Sequence, residues 1–375
     1  MKKMTILAVM LSIWSLKAQK NKLNLLIGTY TTSCESSGIY NYLFDTETGE
    51  LSFKSESEKV INPSYLAVSE DHKRVYSVNK RIYSVNEGGM ESYISAFDYD
   101  VKTGKFKFLN KQNSGGANPC YIITDDENVI TANYTGGSLA VFKKTATGIS
   151  ETKQVLQHVG KGSNPERQEA PHVHMVYFSP DKKYVLSNDL GLDKIFIYEY
   201  HPKAEKEILT LKKEVSVKAG SGPRHLMFGK NGKNVYLLNE LNGSLFVFDY
   251  QNGELQLIQE TTVVSPDFKG EVSAADIHIS PDGKFLYATN RGEANDVTAF
   301  KIENNGKLQF VQRVSTGGKG PRNFTIDPTG NFLLVGHQYT NDIVLFERDK
   351  KSGKLKQRDK KTPLCSPVCL VFLNE

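Results

Sequence analysis

The sequence predicts an all-β ring of seven four-stranded blades, a β-propeller closed by its own C-terminal strand. Three observations predict it. One motif recurs seven times at nearly constant spacing, each repeat holds four strand-like runs, and the last run of the chain supplies the strand that the first repeat lacks.

The repeat carries the most weight. A Pro-led apolar run begins at Pro63, Pro119, Pro171, Pro223, Pro321 and Pro367, with Ala275 standing in once, and successive starts lie 46 to 56 residues apart. A period near 50 residues belongs to repeat architectures. After the first run comes a tight reversal such as Ser280-Pro-Asp-Gly or Asp327-Pro-Thr-Gly, where Pro and Gly supply the backbone angles of a turn. The second run reads Val75-Tyr-Ser-Val-Asn or Val235-Tyr-Leu-Leu-Asn, and the third alternates, as in Leu245-Phe-Val-Phe-Asp. A Gly hairpin such as Thr103-Gly-Lys-Phe or Asn305-Gly-Lys-Leu leads into the fourth. The chain starts out of phase: Leu25–Tyr30 resembles a second run, and its missing partner is Val368–Phe372. Pairing these two closes the ring and leaves no open edge.

The chain has 375 residues, 39% hydrophobic and 24% charged, with formal charge +5. It is too rich in Tyr and Phe for disorder, and no apolar run beyond the N-terminus is long enough to span a bilayer. Residues 1–18 read as a signal peptide. Lys2 and Lys3 precede an apolar stretch, Ala18 suits the cleavage site, and residues 19–375 form the single mature domain. Without Lys2, Lys3 and Lys17 the charge falls to about +2, which gives no nucleic-acid signal. Cys34, Cys120, Cys365 and Cys369 are expected to be buried free thiols. Cys365 and Cys369 sit too far apart along a strand to bridge, and no pair has metal-site spacing.

In such a blade the start of strand one and the end of strand two meet on one rim, where side chains of all blades converge. The strand-one starts carry His172, His174, Arg224, His225, Asp276, His278, Arg322 and Asn323. The strand-two ends carry Lys80, Tyr134, Asp189, Glu240, Arg291, His337 and Gln338, besides recurring Asn residues whose recurrence marks a structural role. Five of the eight His fall in these windows, where repetition alone would put small or apolar residues. His172 and His174, two apart on a strand, share a face, but no further cluster completes a metal site, so neither metal nor cofactor is expected. Arg224, Arg291 and Arg322 suit bidentate recognition of carboxylate or phosphate. No nucleophile elbow, phosphate loop or dinucleotide fingerprint occurs, which leaves water activated by His or Glu, with Arg stabilising negative charge.

Several long motifs are similar to those of a known family. They include Ile27-Gly-Thr-Tyr-Thr, Pro165-Glu-Arg-Gln-Glu-Ala-Pro-His-Val-His174, Gly222-Pro-Arg-His225, Asn239-Glu240, Thr289-Asn-Arg-Gly292 and Gly320-Pro-Arg-Asn-Phe-Thr-Ile-Asp-Pro-Thr-Gly330. From about Leu25 onward the chain resembles the lactonase family of seven-bladed propellers, which includes propeller-type 6-phosphogluconolactonases and carboxymuconate-lactonising enzymes. The resemblance implies a metal-independent rim site with catalytic His172 or His174, Arg224, Glu240 and Arg291. Arg167, Gln168, Asp189, His225, Asp276, His278, Arg322, Asn323 and His337 are the expected substrate-binding set. The implied activity is opening of an acidic or sugar-derived lactone, with a small-molecule partner, no nucleic acid and no membrane span. The alternatives are a lactonising cycloisomerase and a non-catalytic propeller that binds a sugar acid or a protein.

Overall fold

The computed structural model describes residues 21–80 and 92–373. The expected signal peptide, residues 1–18, lies outside the described residues. The chain forms seven four-stranded antiparallel sheets, as the repeat predicts. The inner strands are Pro63–Val68, Pro119–Thr124, Val173–Phe178, Pro223–Phe228, Ala274–Ile279, Pro321–Ile326 and Pro367–Phe372. Each pairs with the second strand of its blade, and the last pairs with Lys22–Thr29, matching Leu25 with Phe372 and Ile27 with Leu370. The N-terminal blade is thus assembled from both ends of the chain. Among the described residues no helix is long and apolar enough to cross a membrane.

Burial falls outward from the axis, and composition follows it. Second strands such as Asn128–Asn133 and Phe285–Asn290 are buried throughout, because neighbouring blades cover both of their faces. Fourth strands such as Leu209–Ser216 and Leu355–Pro363 are mostly exposed. The core is a set of clusters between adjacent blades; one packs Phe285 and Tyr287 against Phe324, Leu333 and Val344. Tyrosines of the second strand also lock blade to blade. Tyr236 donates to the Gly306 carbonyl at 2.9 Å and Tyr287 to that of Gly353 at 2.8 Å, each in the hairpin of the next blade. Gly353 has φ of 73°, and a Cβ there would collide with the Phe285 ring, so glycine is required on both counts.

Every inner strand is bulged at the same place. Pairing slips just after the first matched residue, between Pro63 and Tyr65, Pro119 and Tyr121, Val173 and Met175, Pro223 and His225, and Pro321 and Asn323. In the sixth blade the slip runs from Ala274 to Ile277 and skips two residues. A bulge leaves one residue unpaired and re-aims its side chain. The unpaired residues are Ser64, Cys120, His174, Arg224, Ala275 with Asp276, Arg322 and, in the ring-closing strand, Val368. Strand pairing also places Val173, not Pro171, level with Pro223, so His174 is the counterpart of Arg224.

The cysteines depart from expectation. Cys34 and Cys365 form a disulfide with Cα atoms 5.9 Å apart across a sequence separation of 331. Cys120 and Cys369 are free thiols, as expected. Ring closure is the reason: Cys34 lies just beyond the strand Lys22–Thr29 and Cys365 just before its partner Pro367–Phe372, so pairing of the chain ends brings both to one rim. The double variant Cys34→Ser/Cys365→Ser should unfold at lower urea concentration, losing about 2–4 kcal/mol, since the bridge restricts the unfolded chain. Coincident wild-type and variant urea curves would show that strand pairing alone holds the ring.

Candidate active site

Two positions per blade build the rim. The residue directly after the second strand supplies Tyr30, Lys80, Tyr134, Glu240 and Arg291, and the bulged residue supplies Ser64, Cys120, His174 and Arg322. With Asn118 and Arg167 they line a cavity of about 170 Å³. A larger cavity of about 750 Å³ opens at the other mouth of the channel, between aromatic side chains including Tyr65, Tyr121, Tyr177 and Phe228. The ionisable groups converge on the smaller one.

Glu240 is the centre of this convergence. Arg224 Nε donates to Glu240 Oε2 at 3.0 Å, Arg291 reaches the same oxygen at 3.1 Å, and Arg167 reaches Oε1 at 2.7 Å. Burial by itself would raise the Glu240 carboxyl, but Arg291, Arg224 and Arg167 outweigh it and bring it down to about 2. The carboxylate is therefore ionised at any working pH and is a weak base. Arg224 is almost fully buried behind it, with one guanidinium nitrogen on the Ala275 carbonyl. Arg291 faces the cavity and is fixed from below by the Ser273 carbonyl at 3.2 Å.

The two histidines have different surroundings, because the bulge interrupts the strand alternation between them. His172 lies before its strand, stacked on Tyr134 with centroids 4.5 Å apart, and its ring nitrogens meet Tyr134 O at 3.2 Å and Glu169 Oε1 at 3.1 Å. His174 meets the edge of Tyr134 and lines the cavity. Its Nδ1 is enclosed with no partner, and its Nε2 lies 3.8 Å from Glu240 Oε2. Burial first, then Arg224, His225, Arg322 and Arg291, holds His174 well below its ordinary value. The ring is neutral at pH 7.

The remaining residues expected at the site are placed around it. Asp276 joins three of them: it pairs with His225 at 2.7 Å, His278 at 3.0 Å and Asn323 at 2.5 Å. This buried layer spans the channel between the two mouths, and His278 and Asn323 border the aromatic one. Burial and Arg224 push His225 down to about 4. Asp189 holds the His172 backbone at 2.8 Å and a His158–Tyr198 chain inside the blade. Gln168 bonds Asn164 N and Leu190 O, fixing the loop that carries Arg167. His337 is buried against Asp342 at 2.8 Å. Only His174, Arg167, Glu240, Arg291 and Arg322 of the expected set line the cavity. Among the described residues no three His, Cys, Asp or Glu side chains come together as a metal site.

The recurring Asn residues do make structural hydrogen bonds: Asn239 donates to Ser244 Oγ at 3.0 Å across a turn, and Asn79 accepts from Ser95 Oγ on the adjacent strand at 2.7 Å. Sequence reasoning passed over Tyr30, and it named Lys80 and Tyr134 without giving them a site role. The signal for all three was register: each directly follows the end of a second strand, as Glu240 and Arg291 do.

An all-β propeller with an arginine-clamped carboxylate beside a neutral histidine in a rim cavity defines a class of small-molecule rim sites. A family model described as "Lactonase, 7-bladed beta-propeller" matches residues 24–372. The chain belongs to this family. It is 36% identical over 355 residues to a Bacillus subtilis protein named 6-phosphogluconolactonase, covering 93% of this chain and 98% of that one. A solved Bacteroides fragilis structure is 41% identical with TM-score 0.89, covering 94% of this chain and 98% of that one. The structure of a Pseudomonas aeruginosa periplasmic gluconolactonase is 33% identical with TM-score 0.89, covering 94% and 99%.

The clamp has a pH signature. The folded-state value of Glu240, about 2, lies below the ordinary 4.5. Its contribution to stability is therefore complete above about pH 4.5 and is lost as pH falls toward 2. Glu240→Gln should be less stable at neutral pH, because buried guanidinium groups lose their counter-charge. Its urea midpoint should also fall less steeply than that of wild type below pH 4.5. Parallel midpoint-against-pH profiles would refute the clamp.

Proposed function

We propose that the chain hydrolyses an acidic or sugar-derived lactone to its open acid, as an exported relative of the 6-phosphogluconolactonases. The observation that carries this reading is the neutral His174 with its Nε2 3.8 Å from an ionised Glu240, in a cavity whose other charged side chains are all cations. His174 Nε2 takes a proton from water as the water oxygen bonds to the lactone carbonyl carbon. Glu240 stabilises the imidazolium that forms, since its own carboxylate is too weak a base for the proton. Arg291 stabilises the oxyanion that the carbonyl oxygen becomes. Collapse breaks the ring C–O bond, and the departing oxygen takes the proton back from His174. Arg224 acts through Glu240 as a positioning residue.

The relatives named 6-phosphogluconolactonase and gluconolactonase support the reaction class. The disulfide supports export by residues 1–18, because such bridges persist in oxidising compartments. Sugar phosphates are scarce there, which favours a lactone made acidic by some other group. N-terminal sequencing of protein recovered from the periplasm should begin after Ala18.

On a lactone panel with acid release as the readout, His174→Ala should lower kcat by about 10²–10⁴ and Arg291→Ala by about 10²–10³. Arg291→Lys should not restore the rate, since a point charge cannot reproduce the planar fork. If wild type binds sugar acids yet hydrolyses no lactone, the rim is a binding site and the hydrolase reading is wrong.

A further inference from the structure

The cations of the cavity fall into two groups. Arg167, Arg224 and Arg291 share the Glu240 carboxylate. Lys80 and Arg322 have no carboxylate partner among the described residues. Both instead lie against the Tyr30 ring, with Arg322 Cζ 5.6 Å and Lys80 Nζ 6.0 Å from its centroid. Tyr30, Lys80 and Arg322 come from three blades and line the same cavity as Glu240. Glu240 stabilises the Arg322 charge through space without pairing with it, so the donors of both cations stay open to an anion from outside.

The backbone around them is fixed. Asn62, at φ 43°, accepts from Thr31 N at 2.7 Å through Oδ1 and donates to the Lys80 carbonyl at 2.9 Å through Nδ2. Tyr30 N donates to the Ser366 carbonyl at 3.0 Å. One asparagine thus ties the segment that carries Tyr30 to the one that carries Lys80, and Tyr30 is bound to the strand that closes the ring. The field agrees with the contacts. Burial would raise the Tyr30 phenol, but Arg322, Lys80 and Arg291 draw it below its ordinary value. Arg322 and Arg291 in turn help to depress Arg224, after burial itself.

We propose that Lys80 and Arg322, set on the Tyr30 ring, form a second subsite that binds an anionic oxygen group carried by the lactone away from its ester. The ester lies at His174 and Arg291, and the distal phosphate or carboxylate lies between Lys80 and Arg322. The ligand's identity rests on the lactonase reading, whereas the anion preference rests on the unmatched cations alone. The subsite selects for charged over neutral sugar lactones.

Wild type, Lys80→Met and Arg322→Gln are compared on D-glucono-1,5-lactone, its 6-phosphate and D-glucaro-1,4-lactone. The ratio of kcat/KM for a charged lactone over the neutral one should fall about 10- to 100-fold in each variant, the range for losing a charge-assisted hydrogen bond. A fall confined to the phosphate arm identifies a phosphate, and one in the glucarate arm identifies a carboxylate; either supports the subsite. A ratio unchanged in both variants overturns it. Calorimetric titration with 6-phosphogluconate and gluconate separates this result from the reaction itself. If wild type hydrolyses nothing but prefers 6-phosphogluconate, and that preference is lost in the variants, the lactonase reading fails and the subsite stands. Equal affinity of wild type for the two acids overturns a phosphate subsite, and equal affinity for D-glucarate and gluconate as well overturns the subsite altogether.

Discussion

One buried carboxylate organises the active rim. Glu240 follows the second strand of the fifth blade, yet its three arginines come from three places: the loop before the inner strand of the fourth blade, its own blade and the sixth blade. Remove the charge and guanidinium groups are left facing one another in a poorly solvated space. The clamp costs desolvation and returns it through geometry. It fixes Arg291 toward the cavity and keeps a negative charge beside His174, where the proposed reaction would place a proton. A carboxylate held so far down stabilises positive charge and accepts protons poorly.

The scaffold is repetitive and the site is not. Six blades repeat the same one-residue bulge at the same register and the sixth blade widens it to two, and each bulge takes a side chain out of the strand alternation. The fold therefore supplies a ring of equivalent sockets. Histidine occupies one, arginine two, serine and cysteine others. The chemistry follows from which socket holds which residue, and exchange at one socket leaves the neighbouring strands paired as before.

The architecture was legible because period, turn chemistry and strand alternation all point one way. The proline-led runs gave seven blades, and the out-of-phase start gave the closing pair. Local geometry within the rim was less legible. A bulge leaves no compositional trace, so His172 and His174 read as equivalent residues on one face, although one is fully hydrogen-bonded and the other has an enclosed, unpartnered nitrogen. Arg224 and Arg291 read alike from their motifs, but depth separates them: one lies behind Glu240 and the other before it. The Cys34–Cys365 bridge was hidden by sequence distance, and it becomes visible only when closure is followed through to the loops beside the paired strands.

The composite blade sets the order in which the ring can be completed. The strand Lys22–Thr29 is made before all the other strands, but its inner partner, Pro367–Phe372, follows all of them. Until that strand is synthesised, the first blade presents a bare edge, the kind that pairs with other chains. The interior blades are complete within themselves and can form as they are synthesised. Closure is then a single late event of very long sequence separation, which is slow, and oxidation of Cys34 and Cys365 can only follow it. The bridge works as a latch: it adds nothing to the search for the closed ring and keeps the ring from reopening once found.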